Sequence, residues 1–255
     1  MQRHANRKPK RNRRQEQQEQ KQSQQREVTD KAFIELRKPV QPLNNFQKSL
    51  IFAINNSNAV FVDASAGSGK SFCVMSTVSD WLKSGKIEKI ILSRPTVGMG
   101  NSLGLLPGNI REKFEPYLAA LIEVLCKRYG RGFYETQLGN GNIEFVPLEY
   151  IRGRSFENAV VIIDEFQNTD SETAYTIMTR VGENSKLFCL GDHTQNDMRG
   201  RETGLQWAID FIDRHELFDY ADYVEGTSDD IVRSDLCKAV VKARESDLRH
   251  PKTLN

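Results

Sequence analysis

From Val60 onward the chain alternates short apolar runs with longer stretches whose apolar residues recur at helical spacing. The runs at 60–62, 87–93, 143–146, 160–163, 186–190 and 220–224 predict strands, and the stretches at 71–82, 110–129, 171–181, 204–214 and 228–243 predict helices. Val160-Val161-Ile162-Ile163 carries no polar alternation, as expected of a strand covered by helices on both faces. Strand and helix in turn predict a three-layer α/β/α domain around a mostly parallel sheet. Ahead of it, residues 45–54 have helical spacing, and Pro39 and Pro42 mark a hinge before them. No internal repeat interrupts this order.

The first segment has no such pattern. Residues 1–26 are polar and Gln-rich, with Arg3, Arg7, Lys8, Lys10, Arg11, Arg13 and Arg14 unbroken by an acid, a composition that predicts a disordered basic tail. The first thirty residues hold nine Lys and Arg against four Asp and Glu, whereas the formal charge of the 255-residue chain is only +2, so the remainder is acidic. Such an arm suits the phosphate backbone of a nucleic acid, or serves as a solubilising extension. The expected organisation is a tail and linker at 1–41, a domain at 42–248 and a short C-terminal tail at 249–255. Cys73, Cys126, Cys189 and Cys237 are scattered without a C-x-x-C pair, which fits a reduced compartment, and no apolar stretch reaches the roughly 20 residues of a membrane span. A soluble, unexported, cytoplasmic protein is the expectation.

Chemistry enters at the first strand. Val60-Phe61-Val62 runs into Ala64-Ser65-Ala66-Gly67-Ser68-Gly69-Lys70-Ser71, the order of a strand feeding a phosphate-cradling loop and a helix. Backbone N–H groups of Ser65 to Gly69 converge on phosphate oxygens, Lys70 reaches the β and γ phosphates, and the Ser71 hydroxyl ligates Mg²⁺. The motif asks for glycine where Ala64 stands, so Ala64 has negative backbone angles or the loop is strained.

A second apolar strand delivers Asp164 and Glu165 at its C-terminal end. Asp164 is placed to hold the magnesium and Glu165 to polarise the water that attacks the γ phosphate. A third ends in Gly191-Asp192-His193-Thr194-Gln195, where the Gln195 amide is suited to touch the γ phosphate or that water. His193, lacking spaced partners, reads as an ordinary polar residue, and Asp192 as a magnesium neighbour or a turn-former.

With these in place the chain resembles the PhoH family of ATPases, related to superfamily one helicases. The resemblance runs from about 43 to 245 and includes Asn45-Phe46-Gln47, Ser93-Arg94-Pro95, Gly104-Leu105-Leu106-Pro107-Gly108, Arg152-Gly153-Arg154, Asp164-Glu165-Phe166-Gln167-Asn168 and Asp230-Ile231-Val232-Arg233. It implies a RecA-like P-loop NTPase domain and an adenine-reading role for Gln47 that favours ATP; because the length holds one motor domain and translocation needs two, a homo-oligomer is expected, the hexamer favoured by the resemblance. It also implies a nucleic-acid partner, RNA ahead of DNA, in a bacterium or a phage-infected bacterial cell; the compact length is similar to phage versions. Ala64 and Phe166 depart from the family pattern.

An arginine that neutralises the transferring phosphoryl group is still needed. Arg233 matches the family's late Val-Arg segment, with Arg180, Arg199 and Arg201 behind it. Arg94, Arg152 and Arg154 are suited either to a nucleic-acid backbone or to pairing with acids such as Glu149 and Glu157; Tyr129, Phe133, Tyr134 and Tyr150 to bases or to the core. The expected function is ATP hydrolysis coupled to nucleic acid. Two alternatives stay open, a small-molecule kinase and a non-catalytic nucleotide switch.

Overall fold

Six parallel strands form one sheet: β1 (Ala59–Ala64), β2 (Lys89–Ser93), β3 (Ile143–Phe145), β4 (Ala159–Ile163), β5 (Lys186–Gly191) and β6 (Ala221–Gly226), in the spatial order β3-β2-β4-β5-β1-β6. This computed structural model describes residues 38–95, 110–151, 153–197 and 201–249. The basic tail at 1–26, the Gly104 to Gly108 segment, Arg152, Arg199 and the last six residues lie outside them.

Because successive residues of a strand face opposite ways, the apolar runs supply two cores at once. Val60, Val62, Ile90, Leu92, Val160, Ile162, Phe188 and Leu190 face one side, under helices α1 (Asn45–Asn56), α2 (Lys70–Ser84), α3 (Ala119–Tyr129) and α4 (Arg131–Gly139). Phe61, Ile91, Val161, Ile163, Leu187 and Cys189 face the other, under α5 (Ser171–Met178) and α6 (Gly204–Arg214). The three-layer α/β/α architecture is as the alternation predicts. The final helix, α7 (Asp235–Arg249), belongs to neither core.

Three elements differ from the sequence expectation. The helix expected at 110–129 breaks into Ile110–Phe114, a 3-10 turn at Glu115–Leu118, and α3. Pro116 is the reason, since it has no N–H to continue the ladder and its ring clashes with the carbonyl four residues back. The spacing does not predict helix α4, because Gly132 and Gly139 weaken its pattern. The helix expected at 228–243 begins as a 3-10 turn at Ser228–Asp230, then stretches out before α7 starts at Asp235. There the Thr227 and Asp230 side chains close a capping box, and Ile231 is extended at φ −65°, ψ 122°. Among the described residues no helix is long and apolar enough to cross a membrane.

Parallel strands end on the same edge. The loops after β1, β2, β4, β5 and β6 are therefore brought together, where ligands of open α/β sheets bind.

Candidate functional site

The loop after β1 is built as the motif demands. Gly67 and Gly69 sit at φ +90° and +89°, a region that side-chain-bearing residues rarely occupy. Ala64 does not share it. It is the last residue of β1, fully buried and in register with Gly226 of β6, whose missing side chain leaves it room: a Cβ on Gly226 would lie 3.0 Å from the Ala64 Cβ and 2.7 Å from Phe46. The glycine that the loop lacks is supplied by the neighbouring strand, and the strain allowed for at Ala64 is absent.

In this structure the loop's polar groups are held by the chain itself. Lys70 Nζ donates to the Ala64 carbonyl at 2.9 Å, and the Ala66 N–H donates to Asp192 Oδ2 at 2.9 Å. Among the described residues Ser68 Oγ is buried without a hydrogen-bond partner. Gln47, buried beneath the loop, donates from Nε2 to the Ser68 carbonyl at 2.9 Å and accepts from the Leu43 N–H at 2.9 Å. It packs so closely that a Cβ on Gly69 would lie 2.6 Å from its Nε2. Gln47 therefore ties α1 to the loop and keeps one N–H for a further acceptor.

Two strands away, Asp164 and Glu165 leave β4 in different directions. Asp164 is buried, and its N–H donates to the Ser93 carbonyl at 2.9 Å. Burial, then the neighbouring Glu165, push its carboxyl above the usual carboxylate range, while Lys70 and Arg94 pull it back. Ser71, whose hydroxyl begins α2, is the other expected magnesium ligand. A buried carboxylate whose desolvation outweighs the pull of Lys70 and Arg94 suits a hard divalent cation, so Asp164 fits the group.

Glu165 adopts a left-handed conformation at φ +56°, one of four such non-glycine residues described. That turn sends its carboxylate toward Gln167 Nε2, which donates to Oε2 at 2.6 Å, and toward Arg94 Nη2, 3.6 Å from Oε1. Arg94 also donates to the Tyr117 carbonyl at 3.1 Å. Gln167, fully buried, accepts the Asp192 N–H on its other end at 3.2 Å. Gly191 is what lets it approach, since a Cβ there would lie 2.9 Å from Gln167 Oε1 and 2.5 Å from Leu205.

The loop after β5 is organised by Asp192. Its carboxylate accepts from the Thr194 N–H at 3.0 Å, the Thr194 hydroxyl at 2.6 Å and Gln195 Nε2 at 2.7 Å, besides Ala66. Asp192 is thus a turn-former and a tether for the phosphate loop. His193 is not isolated: its N–H donates to Asp63 Oδ1 at 3.0 Å and its Nδ1 lies 2.9 Å from Oδ2. The hydrogen bond to Asp63 raises the imidazole pKa above its ordinary value. Asp63, Asp192 and His193 place ligand-type atoms within 4.8 Å of one another, though these same atoms serve the hydrogen bonds above.

The extended segment before α7 lies against the phosphate loop. Val232 N–H donates to the Gly67 carbonyl at 3.1 Å, and the Arg233 methylenes lie 3.2 and 3.3 Å from where a Gly67 Cβ would stand. From α7, Glu245 accepts from Ser65 Oγ at 3.1 Å and from Ser228 Oγ at 2.8 Å. A cavity of about 520 Å³ opens between α7 and the loops after β2, β4 and β5, beside the phosphate loop rather than in it, lined by Arg94, Glu165, Asp192, Gln195, Arg244 and Glu245 among others. A larger hollow of about 790 Å³ lies between α1 and β6, and neither Asp164, Glu165 nor Asp192 lines it.

Other expectations resolve differently. Arg180 follows α5 beside Phe156, at the edge where strands begin, and is removed from this site. Arg201 is exposed ahead of α6. Arg154 pairs with Glu144, at 2.6 and 3.1 Å, rather than with Glu149 or Glu157. Tyr129 and Tyr134 are core residues, Phe133 packs against the core, and Tyr150 is exposed. Sequence reasoning gives no role to Gln167, Asp63 or Glu245; a lone acid in the apolar run of β1 is the visible sign of Asp63.

A profile of the PhoH family, described as PhoH-like protein, matches residues 39–245. The chain is 36% identical over 208 residues to "Protein PhoH" of Escherichia coli (strain K12), covering 80% of this chain and 58% of that one. It is 36% identical over 198 residues to "PhoH-like protein" of Bacillus subtilis (strain 168), covering 77% and 61%. Among solved structures, the large terminase of a thermophilic bacteriophage superposes with a TM-score of 0.46 and 14% identity, over 81% of this chain and 50% of that one.

Proposed function

The chain belongs to the PhoH family of PhoH-like proteins, and on that footing we propose that it binds and hydrolyses ATP at the C-terminal edge of its sheet. The observation that carries this reading is Glu165. Its carboxylate is aimed by a left-handed turn, held by Gln167 and faced by Arg94, on the wall of a cavity it shares with Gln195.

The phosphates take the place of the chain's own acceptors. Lys70 Nζ exchanges the Ala64 carbonyl for phosphate oxygens, and the Ala66 N–H exchanges Asp192. Gln47 braces the loop from below and offers its free N–H to an adenine acceptor. Ser71 and Asp164 would hold the magnesium ion, which supplies positive charge to the phosphate oxygens when bound. Glu165 takes a proton from the attacking water, and Gln195, hydrogen-bonded to Asp192, reports to the phosphate loop whether the γ phosphate is present.

A carboxylate aimed at water argues against a kinase, which must keep water from the phosphoryl group. Stimulation by RNA or DNA, and assembly into a homo-oligomer, are part of the proposal. The first is supported by the basic sequence from Arg3 to Arg14 and not by Arg154, Tyr129 or Tyr134, which the fold employs elsewhere.

Phosphate release with ATP and magnesium, with and without single-stranded RNA or DNA, tests the reading. Lys70→Ala is the blank. Glu165→Gln is expected to lower turnover by about 10²- to 10⁴-fold while retaining ATP binding. Unchanged turnover in Glu165→Gln removes the carboxylate from the mechanism.

A further inference from the structure

We infer that Arg244, on the C-terminal helix of the same chain, is the catalytic cation that contacts the γ phosphoryl group, a role for which the sequence points to Arg233. This rests on the ATPase reading above.

Four observations converge on it. First, α7 is fastened to the phosphate loop. Glu245 bridges Ser65 Oγ and Ser228 Oγ at 3.1 and 2.8 Å, and Lys238 and Lys242 grip Asp229, donating to its carbonyl at 2.7 Å and its carboxylate at 2.6 Å. Second, the residue beside that anchor, Arg244, lines the cavity that Glu165, Gln195 and Asp192 also line. Third, of the two arginines there, Arg94 already serves Glu165 and the Tyr117 carbonyl, whereas Arg244 makes no hydrogen bond or ion pair among the described residues. Fourth, Arg233 lies against Gly67, and is not among the residues lining that cavity.

The chemistry assigns the cation its work. The water oxygen forms a bond to the γ phosphorus as its proton passes to Glu165. The bond from that phosphorus to the β–γ bridging oxygen breaks, and its electron pair leaves on ADP. Negative charge collects on the γ oxygens and the bridging oxygen throughout, and a guanidinium with free donors stabilises it. Glu245 sets the distance, because its two hydroxyl partners fix the helix turn that carries Arg244. The fold thus brings its own arginine to the site, where oligomeric P-loop enzymes commonly take one from a neighbour.

The experiment compares full-length wild type, Arg244→Ala, Arg244→Lys, Arg233→Ala and Lys70→Ala by steady-state phosphate release. It is paired with binding of a fluorescent ADP with and without aluminium fluoride, which with ADP mimics the phosphoryl group in transfer. Arg244→Ala is expected to lose roughly 10³-fold in kcat with KM for ATP changed less than about threefold, and to lose the fluoride-dependent tightening while ADP alone still binds. Arg244→Lys should recover part of both. An equimolar mixture of Arg244→Ala and Lys70→Ala should stay inactive. Wild-type kcat in Arg244→Ala, undiminished fluoride tightening, or activity restored in the mixture each overturns the assignment. Wild-type turnover no greater than that of Lys70→Ala overturns the ATPase reading and this inference with it.

Discussion

The two edges of the sheet share one device, side chains bound to backbone, and differ in what is added to it. Where strands begin, side chains satisfy the backbone: Ser185 Oγ donates to the Phe156 carbonyl at 2.9 Å and accepts the Ala159 N–H at 3.2 Å, while Lys186 Nζ caps the Ile54 and Ser57 carbonyls at 3.2 and 2.5 Å. Where strands end, Lys70, Gln47 and Arg94 also reach backbone carbonyls, but charged side chains are held by one another and by loop N–H groups as well: Glu165 with Gln167 and Arg94, Asp192 with Gln195 and Ala66, Glu245 with Ser65. At the first edge these contacts tie side chains to the strand and helix backbone. The second adds contacts between charged groups, which is the arrangement that the proposed ATP site calls for. The same sheet chemistry thus separates a structural edge from a functional one.

Gln167→Leu breaks that contrast most sharply, because it strips a fully buried link from the functional edge. Glu165 loses its donor and the Asp192 N–H its acceptor. Turnover is expected to fall about 10²-fold from misplacement of the carboxylate, and stability by about 1–3 kcal/mol from the unpaired buried groups. Phosphate release and urea unfolding measure the two, and a loss of stability with normal turnover would make Gln167 structural only.

Ser185→Ala is the counterpart on the edge where strands begin. It leaves the Ala159 N–H without its partner and is expected to cost about 1–2 kcal/mol in urea unfolding with turnover unchanged. A matching fall in turnover would mean that the two edges are coupled through β4 and β5.

The smallest effect belongs to His193. Asp63 raises its pKa in the folded state, so the pairing adds stability that is fully present below the ordinary imidazole value near 6.5 and is lost as pH rises through the raised folded value. The side chain is 65% exposed, so solvent screening limits the gain to about 0.5 kcal/mol. Unfolding of wild type and His193→Asn from pH 5 to 9 should show a difference that shrinks above neutrality, and a difference that grows there would reverse the assignment.

How much of this is legible beforehand follows from which forces act locally. The uninterrupted Val160 to Ile163 run, ending in two acids, fixes a buried strand and what it delivers, because apolar burial and strand period are properties of the segment itself. Ser65 to Ser71 is legible for the same reason, since the loop's glycines answer to local backbone angles. What escapes depends on distant partners. Gln167 acquires its place from Asp192, twenty-five residues along, and the chain at 231–234 is drawn out of helix where Val232 meets the Gly67 carbonyl. The Ala64 question likewise has no answer within the loop, because Gly226 on the next strand settles it.

At Glu165 conformational comfort and chemistry part company. A side-chain-bearing residue at φ +56° costs on the order of 1 kcal/mol that glycine would not, but the carboxylate gives the buried Gln167 amide its acceptor, so glycine would relieve the turn and strand Gln167. The turn and the amide beneath it are therefore one device, in which a strained backbone is held by the contact that aims the acid.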